Sequence, residues 1–261
     1  MWYLSKNRSD SFGRLGLKLL KNILFATVMV LILVGSLFWL NEKGFFQVDR
    51  IEIAVENMTD QPQYLQPLIK TLSSIGEKYR GQSLWSIDLP ELNQQMSSFE
   101  WIDSIHISRI WPSRLSIFVK VKEVHLLISK KNGYLIPVVE QGQVLSPIEI
   151  GHAPDVALLF GEQFERKIDL RKKAVDFVKE VPSEGAFSKK IISEIHYDDK
   201  NGFWLQLIRD QMKVKMGFDQ ISMKSARVGQ VMEYLESRKM DARVIDANLS
   251  KKVLVRLRKD P

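Results

Sequence analysis

The histidines and serines of this chain are the side chains from which metal or nucleophile chemistry would be built. Four histidines are present: His106, His125, His152 and His196. No two of them stand four residues apart, so the sequence lacks the H-E-x-x-H spacing with which one helix face holds zinc. No serine is followed by a lysine three residues later, and neither G-x-S-x-G nor a phosphate-binding glycine loop occurs. The motifs of metal, acyl-transfer and nucleotide chemistry are therefore missing.

Acidic pairs and cysteine add no catalytic arrangement. Asp198 and Asp199 stand directly before Lys200-Asn201-Gly202, which predicts an exposed hairpin turn. Carboxylates in such a turn lack the burial that shifts a pKa towards acid–base work. The chain has no cysteine, which excludes a disulfide framework and a thiolate metal site. We therefore predict that the chain is not an enzyme and uses no cofactor or metal.

The positive charge of the chain is concentrated at its start. Lys and Arg number 38 against 31 Asp and Glu, a formal net charge of +7. Residues 1–22 contain five basic residues against Asp10 alone, so most of the excess lies there. These basic residues would determine the orientation of the chain in a membrane and would attract anionic lipid. Since the remaining excess is spread over a long segment, we predict no nucleic-acid partner.

An uninterrupted apolar segment runs from Ile23 to Leu40. As a helix, its 18 residues span about 27 Å, close to the hydrocarbon thickness of a bilayer. We predict a transmembrane helix over 23–40, with a cytoplasmic tail over 1–22, because positive residues stay on the cytoplasmic side. The alternative, a cleaved signal peptide, requires a shorter apolar segment that ends in small residues. This segment ends in Ser-Leu-Phe-Trp-Leu, which favours an uncleaved anchor with everything after residue 41 outside the cytoplasm.

Residues 46–123 have the periodicity of one strand, two helices and a hairpin. Apolar and polar residues alternate over 51–55, as in a half-buried strand. Apolar residues then recur at helical spacing over 65–75, and Asp88 is a suitable N-cap for a second helix. Alternation resumes on both sides of Pro112, which favours a turn. The predicted order is β-α-α-β-β, a three-stranded sheet covered by two helices.

The hairpin contains a more specific pattern. It reads Trp101-Ile102, then Ile105-x-Ile107-x-Arg109-x-Trp111-Pro112-x-x-Leu115-x-Ile117-x-Val119. Together with the element order, this pattern resembles a POTRA domain, and a POTRA directly outside such an anchor is similar to the FtsQ family of bacterial cell-division proteins. The resemblance implies a structural motif of the POTRA domain formed by Trp101, Arg109, Trp111 and Pro112. A buried Trp111 indole would make Trp111→Ala cost roughly 3 kcal/mol of stability, whereas an exposed one would be a contact residue.

Residues 124–261 predict a second domain dominated by strands. Short apolar segments lie between turn-like sequences over 126–150, and a hydrophobic run ends at Gly161. The predicted strands that follow are 191–197, 203–208, 212–216, 243–246 and 253–257, and the predicted helices begin at Asp169, as N-cap, and near Asp219. The predicted fold class is α+β: one N-terminal transmembrane helix, a POTRA domain over 46–123, and a mostly antiparallel β-domain with flanking helices over 124–261.

The resemblance to the FtsQ family implies a function without chemistry. It implies an essential, non-enzymatic scaffold of the divisome that links early and late division proteins across the inner membrane. The implied partners are FtsB and FtsL in the periplasm, with FtsK, FtsA, FtsW and FtsI reached through the tail, the span or the POTRA domain. The implied location is the inner membrane at the division septum, single-pass with the N-terminus cytoplasmic. The alternative is a POTRA-bearing envelope transport or assembly factor that binds client strands, although transport POTRAs normally come in tandem or precede a membrane β-barrel.

The resemblance also implies where the partner binds. In the family the last strand is a sheet edge to which FtsB, in complex with FtsL, adds a strand. Here that segment comprises Leu249, Ser250, Lys251, Lys252, Val253, Leu254, Val255, Arg256 and Leu257. Alternation places Val253, Val255 and Leu257 on one face and Leu254, Arg256 and Arg258 on the other. The alternative is a terminal strand that only completes the sheet.

Overall fold

The structure is a computed structural model that describes residues 9–56, 62–130, 133–208, 211–249 and 252–258, with side chains described from Leu20 onward. Its α-helices are α1 (Ser9–Glu42), α2 (Gln66–Glu77), α3 (Leu89–Ser97), α4 (Gln163–Arg166), α5 (Ile168–Glu180) and α6 (Ile221–Ser237). Its first strands are β1 (Arg50–Val55), β2 (Ile102–Ile110), β3 (Arg114–Val121), β4 (Leu126–Ser129), β5 (Tyr134–Val138) and β6 (Ile148–Glu149). The later strands are β7 (Leu158–Leu159), β8 (Ile192–Asp198), β9 (Gly202–Leu207), β10 (Lys213–Gly217), β11 (Ala242–Asp246) and β12 (Leu254–Leu257).

The predicted apolar helix is confirmed as part of α1. Among the described residues, one helical segment, Leu20–Glu42, is long and apolar enough to cross a membrane, and none of it is buried within the protein. Its hydroxyl groups bond to its own backbone: Thr27 Oγ1 donates to the Ile23 carbonyl (2.9 Å) and Ser36 Oγ to that of Leu33 (2.8 Å). Because a helix satisfies its backbone internally, and here also its hydroxyls, the segment suits a hydrocarbon surrounding.

The chain, with α1 included, divides into two compact units. Unit one comprises residues up to 54, 72–93 and 106–118, and unit two comprises the other residues. Both units contain part of the predicted POTRA region, whose elements follow the order β1, α2, α3, β2, β3. Within the described residues the three strands form a sheet of order β1-β3-β2. The predicted β-α-α-β-β order and three-stranded sheet are therefore confirmed.

Local signals account for the two helices of this region. The Glu91 N–H donates to Asp88 Oδ1 (3.1 Å), so Asp88 caps α3 as predicted. Leu65 was expected on the first helix, but the structure places it in a 3-10 turn at 63–65, directly before α2. Pro67 lies in the first turn of α2, where its missing N–H costs no hydrogen bond, and this fits a helix that begins only at Gln66.

The second domain is built on a larger sheet. Among the described residues, nine strands form a sheet of order β12-β11-β10-β9-β8-β7-β4-β5-β6. Five neighbouring pairs are antiparallel, and three are parallel: β4 with β7, β7 with β8, and β10 with β11. Two of the parallel pairs have helices in their connections, α4 and α5 before β8 and α6 before β11, as parallel neighbours require a crossover. The predicted mostly antiparallel β-domain with flanking helices is confirmed.

One helix start differs from the prediction. Asp169 was expected as the N-cap of α5, but the helix begins at Ile168 and Lys167, in an extended conformation, is the cap. Asp169 instead lies in the first turn, where its negative charge interacts favourably with the helix N-terminus. The predicted apolar face of α5 does lie in the core of the domain, with Ala174 and Phe177 among its buried residues.

Candidate functional site: the open edge of the larger sheet

Strand β12 is the last strand at one end of the larger sheet. It pairs antiparallel with β11, with Val255 opposite Ile245 and Leu254 opposite Asp246. In the described part of the chain no strand pairs with the other side of β12. A strand in this position presents a row of backbone donors and acceptors to a second chain.

The direction of each backbone group follows from two hydrogen bonds. The Arg258 N–H donates to the Asp241 carbonyl of the chain just before β11 (2.8 Å). Because successive strand residues direct their backbone groups to opposite sides, those of Arg256 and Leu254 also face β11. The groups of Val255 and Leu257 therefore face the open edge. This register agrees with the Ala247 N–H, which donates to the Lys215 carbonyl on the opposite side of β11 (2.9 Å) and so turns Asp246 towards Leu254.

The side chains of β12 divide into a packed and an exposed set. Val253 and Val255 pack against the core of the domain. Leu254 is 48% exposed on the other face, beside the exposed Arg256. Leu257 was predicted to share a face with Val253 and Val255, but unlike them it is 50% exposed, because the sheet ends there and the register of β11 shifts between Ala242 and Val244. The edge thus combines free backbone groups with exposed leucine side chains.

The strand is shorter than the segment implied by the resemblance. It begins at Leu254, whereas the prediction began at Leu249 and the alternation alone suggested 253. Leu249 lies in a bend after β11, where the Asn248 N–H donates to Asp246 Oδ1 (3.1 Å) and turns the chain. Lys252 and Val253 lead into the strand, and Ser250 and Lys251 lie outside the described residues.

A buried lysine braces the sheet beside this bend, and sequence reasoning missed it. Lys224 of α6 is 2% exposed, and its Nζ donates to the Met216 carbonyl and to Asp219 Oδ1, both at 2.9 Å. This hydrogen bond with Lys224 lowers the pKa of Asp219. Gly217 has φ +80°, and a Cβ there would lie 2.0 Å from Asn248 Oδ1. The sequence did contain one indication of this burial. Lys224 stands four residues before Val228 and therefore lies on the same face of the helix, and the structure buries Val228 and Ser225 there.

The open edge carries positive charge. Lys252, Arg256 and Arg258 are exposed along β12 and its ends, and Arg243 is exposed on β11. The neighbouring carboxylate of Asp246 lies 3.5 Å from Lys215 Nζ, so this acidic group already has a cation beside it. The surface is therefore complementary to an acidic segment.

The four residues of the predicted POTRA motif have different surroundings. Trp101 is half-buried and packs on Tyr64, with ring centroids 5.5 Å apart. Arg109 donates from Nε to the Leu84 carbonyl and from Nη2 to that of Ile87, both at 2.7 Å.

The other two motif residues lie at the turn between β2 and β3. Pro112 is exposed there, and Trp111 is 46% exposed. The structure therefore corresponds to the second of the two outcomes considered for Trp111, an exposed ring available for contact. Its indole packs against that of Trp85 in a tilted arrangement, with ring centroids 4.0 Å apart and the ring planes at 54°.

The histidines are dispersed in the structure. Within the residues that the structure describes, no three His, Asp or Glu side chains are grouped so that they could hold a metal ion. His196 stacks on Trp204 with centroids 3.6 Å apart and shares a 2.8 Å hydrogen bond with Glu194 Oε2. Burial lowers the pKa of His196, against the opposing effect of Glu194 and with a smaller contribution from Lys213. This arrangement packs one face of β8 and β9.

Comparison with known families finds a match for each of the two regions that follow α1. Residues 70–120 match the family model "POTRA domain, FtsQ-type", and residues 127–248 match "Cell division protein FtsQ/DivIB, C-terminal". The two matches together cover about two thirds of the chain.

Curated relatives give the same result. The Cell division protein FtsQ of Geotalea daltonii is 23% identical over 219 residues, 81% of this chain and 76% of that protein. The protein of the same name from Syntrophotalea carbinolica is 21% identical over 220 residues, 82% of this chain and 74% of that one. A third, from Geobacter sp. strain M21, is 24% identical over 183 residues, 67% of this chain and 66% of that one. A POTRA region behind an apolar helix, a β-domain with an open edge and both family matches agree, and the chain belongs to the FtsQ/DivIB family of cell-division proteins.

Proposed function

We propose that this cell-division protein is a non-enzymatic scaffold of the divisome that binds FtsB, in complex with FtsL, by strand addition to β12. The observation that supports this proposal is the open side of β12, where the backbone groups of Val255 and Leu257 have no strand beside them in the described chain. Backbone pairing would supply affinity there, and the side chains beside it would supply specificity. The proposed binding segment remains 249–257, with its paired part at Leu254–Leu257.

The side chains of the edge suggest what the added strand looks like. An apolar residue of the partner would cover Leu254 or Leu257, each about half exposed. Acidic residues beside it would lie near Lys252 and Arg256. Since exposed charges act mainly on the encounter rate, we expect association to slow as salt rises.

The family and the apolar helix fit a single-pass protein of the inner membrane. We propose that residues 1–22 are cytoplasmic, that the chain after residue 41 is periplasmic, and that the protein acts at the septum. A reporter active only outside the cytoplasm should work when fused after residue 261 and fail when fused near residue 10. Activity at both positions would contradict a single span. We further propose that contacts with FtsK, FtsA, FtsW and FtsI use the tail, the span or the POTRA domain.

A pair of proline substitutions separates partner pairing from sheet pairing. Val255→Pro removes an N–H that faces the open edge and no hydrogen bond to β11, so the domain should still fold, with a stability loss limited to the packing of this half-buried valine, while binding of FtsB and FtsL is lost. Arg256→Pro removes an N–H that faces β11 and should also lower stability, by about 1–3 kcal/mol. Binding is measured by co-purification of the full chain with FtsB–FtsL, and folding by thermal unfolding. Undiminished binding of the Val255→Pro chain would move the site away from β12.

Charge reversal supplies an independent test. Lys252→Glu with Arg256→Glu should weaken binding and leave thermal unfolding unchanged, since exposed substitutions rarely alter stability. The matched control reverses two exposed lysines of α5, Lys172→Glu with Lys173→Glu, and should bind normally. In cells depleted of the wild-type protein, the edge variant should leave filaments and the control variant should restore division. Equal binding by both double variants would refute the electrostatic part of the proposal.

The alternative function, an envelope transport or assembly factor, receives less support. The match of residues 127–248 is to a cell-division family model, and it includes β11, the strand with which β12 pairs. Depletion distinguishes the two functions, because loss of a transport factor would reduce outer-membrane proteins before it blocked septation.

A further inference from the structure

Four aromatic residues, three of them exposed and one half-buried, form a cluster next to the C-terminal end of α1. The aromatic cluster consists of Phe45, Phe46, Trp85 and Trp111. Ring centroids lie 5.2 Å apart for Phe45 and Phe46, 5.6 Å for Phe46 and Trp111, and 4.0 Å for the two tryptophans. Trp85 is 59% exposed, and Phe45 and Trp111 are each nearly half exposed. Contiguous exposed rings of this size mark a contact surface.

The aromatic cluster begins within one helical turn of the membrane-spanning segment. The Phe45 N–H donates to the Leu40 carbonyl of α1 (3.1 Å), and the Lys43 N–H donates to that of Trp39 (3.1 Å). One turn is about 5.4 Å long, and the polar layer of a bilayer is about 5–7 Å thick on each side. Because Leu40 ends the apolar segment, a bilayer spanned by α1 would have its lipid headgroups at the level of the Phe45 ring. Aromatic side chains are enriched at this level.

Hydrogen bonds hold the other rings at the same place. The Leu84 N–H donates to the Phe46 carbonyl (2.8 Å), which ties the segment before Trp85 to the residue that follows the helix. Arg109 donates to the carbonyls of Leu84 and Ile87, on either side of Trp85. The indole of Trp85 is thus presented by an anchored backbone, so little conformational entropy is lost when it binds.

The exposed charges on the chain just before and after Phe45 and Phe46 balance one another. Glu42 and Asp49 are matched by Lys43 and Arg50, all of them exposed. The half-buried Arg109 adds one positive charge beside Trp85, but its guanidinium is already bonded to two backbone carbonyls. A surface that combines exposed rings with balanced exposed charges suits the headgroup region of a lipid bilayer and does not need anionic lipid. It also explains why aromatic rings remain exposed on a domain outside the membrane.

We propose that the aromatic cluster inserts into the headgroup layer of the bilayer that α1 spans and holds this end of the POTRA region on the membrane surface. The proposal rests on the proposed membrane anchoring through α1. The occupant is lipid, and a protein partner at the same rings is an outcome of the test below. Trp111, in the turn between β2 and β3, would then be a membrane contact.

The absence of cysteine allows the depth of single positions to be measured in the full chain. Three variants each carry one fluorophore: Ser86→Cys beside Trp85, Phe118→Cys and Leu31→Cys. Phe118 is the matched control, because it is an exposed aromatic on β3, in the same unit, about 16 Å along the strand from the turn. Each chain is reconstituted into dioleoylphosphatidylcholine vesicles with or without lipid brominated in the upper part of the acyl chain.

The proposal predicts several-fold stronger bromine quenching at position 86 than at position 118. Adding both Trp85→Ser and Trp111→Ser to these chains should abolish the difference in quenching. If that double variant unfolds, the milder Trp85→Tyr replaces it, and the difference in quenching should then be retained. Quenching at position 86 should not change in 1 M salt, because apolar contact rather than the balanced exposed charges would hold the rings in the bilayer. Equal, weak quenching at 86 and 118 would overturn the proposal and leave a protein partner as the occupant. If quenching is weak at 86 and 118 but strong at 31, α1 is inserted and only the proposal for the aromatic cluster fails. No quenching at 31 would refute the membrane anchoring itself.

Discussion

Arg109 offers a quantitative test of how the POTRA hairpin is held together. Its guanidinium donates to two backbone carbonyls, those of Leu84 and Ile87, each at 2.7 Å. A hydrogen bond from a charged donor contributes about 1.5–3 kcal/mol when it is well shielded from water. Arg109 is only half-buried, so the lower part of that range applies to each bond. We therefore expect Arg109→Ala to lower the free energy of unfolding by about 2–3 kcal/mol.

Two further substitutions bracket this value. Arg109→Lys keeps the charge but reaches one carbonyl at a time, so it should lose about half as much, roughly 1–1.5 kcal/mol. Arg114→Ala, on the adjacent strand, removes an ion pair with Glu52 (3.2 Å) in which both side chains are more than a third exposed. Such pairs contribute less than about 1 kcal/mol, so this variant is the matched control.

The measurement is urea unfolding of the full chain in detergent micelles. Tryptophan fluorescence reports the region directly, because the Trp85 and Trp111 rings are in contact beside the hydrogen bonds of Arg109. The urea concentration at the midpoint should fall least for Arg114→Ala, more for Arg109→Lys and most for Arg109→Ala. The slope of the unfolding free energy against urea concentration should be unchanged. An ordinary surface substitution changes the free energy of unfolding by no more than about 0.5 kcal/mol. If the change for Arg109→Ala is this small, the two hydrogen bonds do not hold the segment around Trp85.

Three further predictions concern the β-domain. Gly217→Ala would need a left-handed conformation and would press a methyl group on Asn248, so it should cost at least about 1–2 kcal/mol in urea unfolding and weaken FtsB binding; normal values for both would contradict this role. Burial lowers the pKa of His196 below its usual 6.5, so the unfolded chain binds a proton first as pH falls, and stability should decrease below about pH 6.5. His196→Gln should flatten that dependence, and an unaltered pH profile would refute the assignment. The hydrogen bonds from the Lys200 and Asn201 backbone lower the pKa of Asp198, so Asp198→Ala should loosen the β8–β9 turn, measured as faster amide exchange there than in the wild type.

Much of the secondary structure could be predicted from the sequence, because it depends on neighbours along the chain. The apolar run at 23–40 suits a spanning helix wherever the rest of the protein lies. The cap at Asp88 and the alternation over 51–55 act within a few residues and were found where expected. The errors were also local: Leu65 and Asp169 each stand within one or two residues of a helix boundary, where propensities differ little.

The candidate site was predictable only in part. Alternation indicated a last strand near 253–257, and the resemblance to a family implied that it was an edge. Which backbone groups are open, however, follows from the pairing of β12 with β11 and of β11 with β10. The lysine that braces the neighbouring bend was also missed, since Lys224 is buried only through its contacts with Met216 and Asp219.

The sequence by itself determined the apolar helix, the order of elements and the charge at the start of the chain, since each of these follows from residue type and spacing. Only the tertiary structure decided the order of the nine described strands, because strands distant in the chain become neighbours through helical crossovers. It also decided that Trp111 remains half exposed, next to Trp85 and Phe46. A tryptophan in a turn has no periodic pattern that predicts burial, so its exposure depends on which distant segments pack against it.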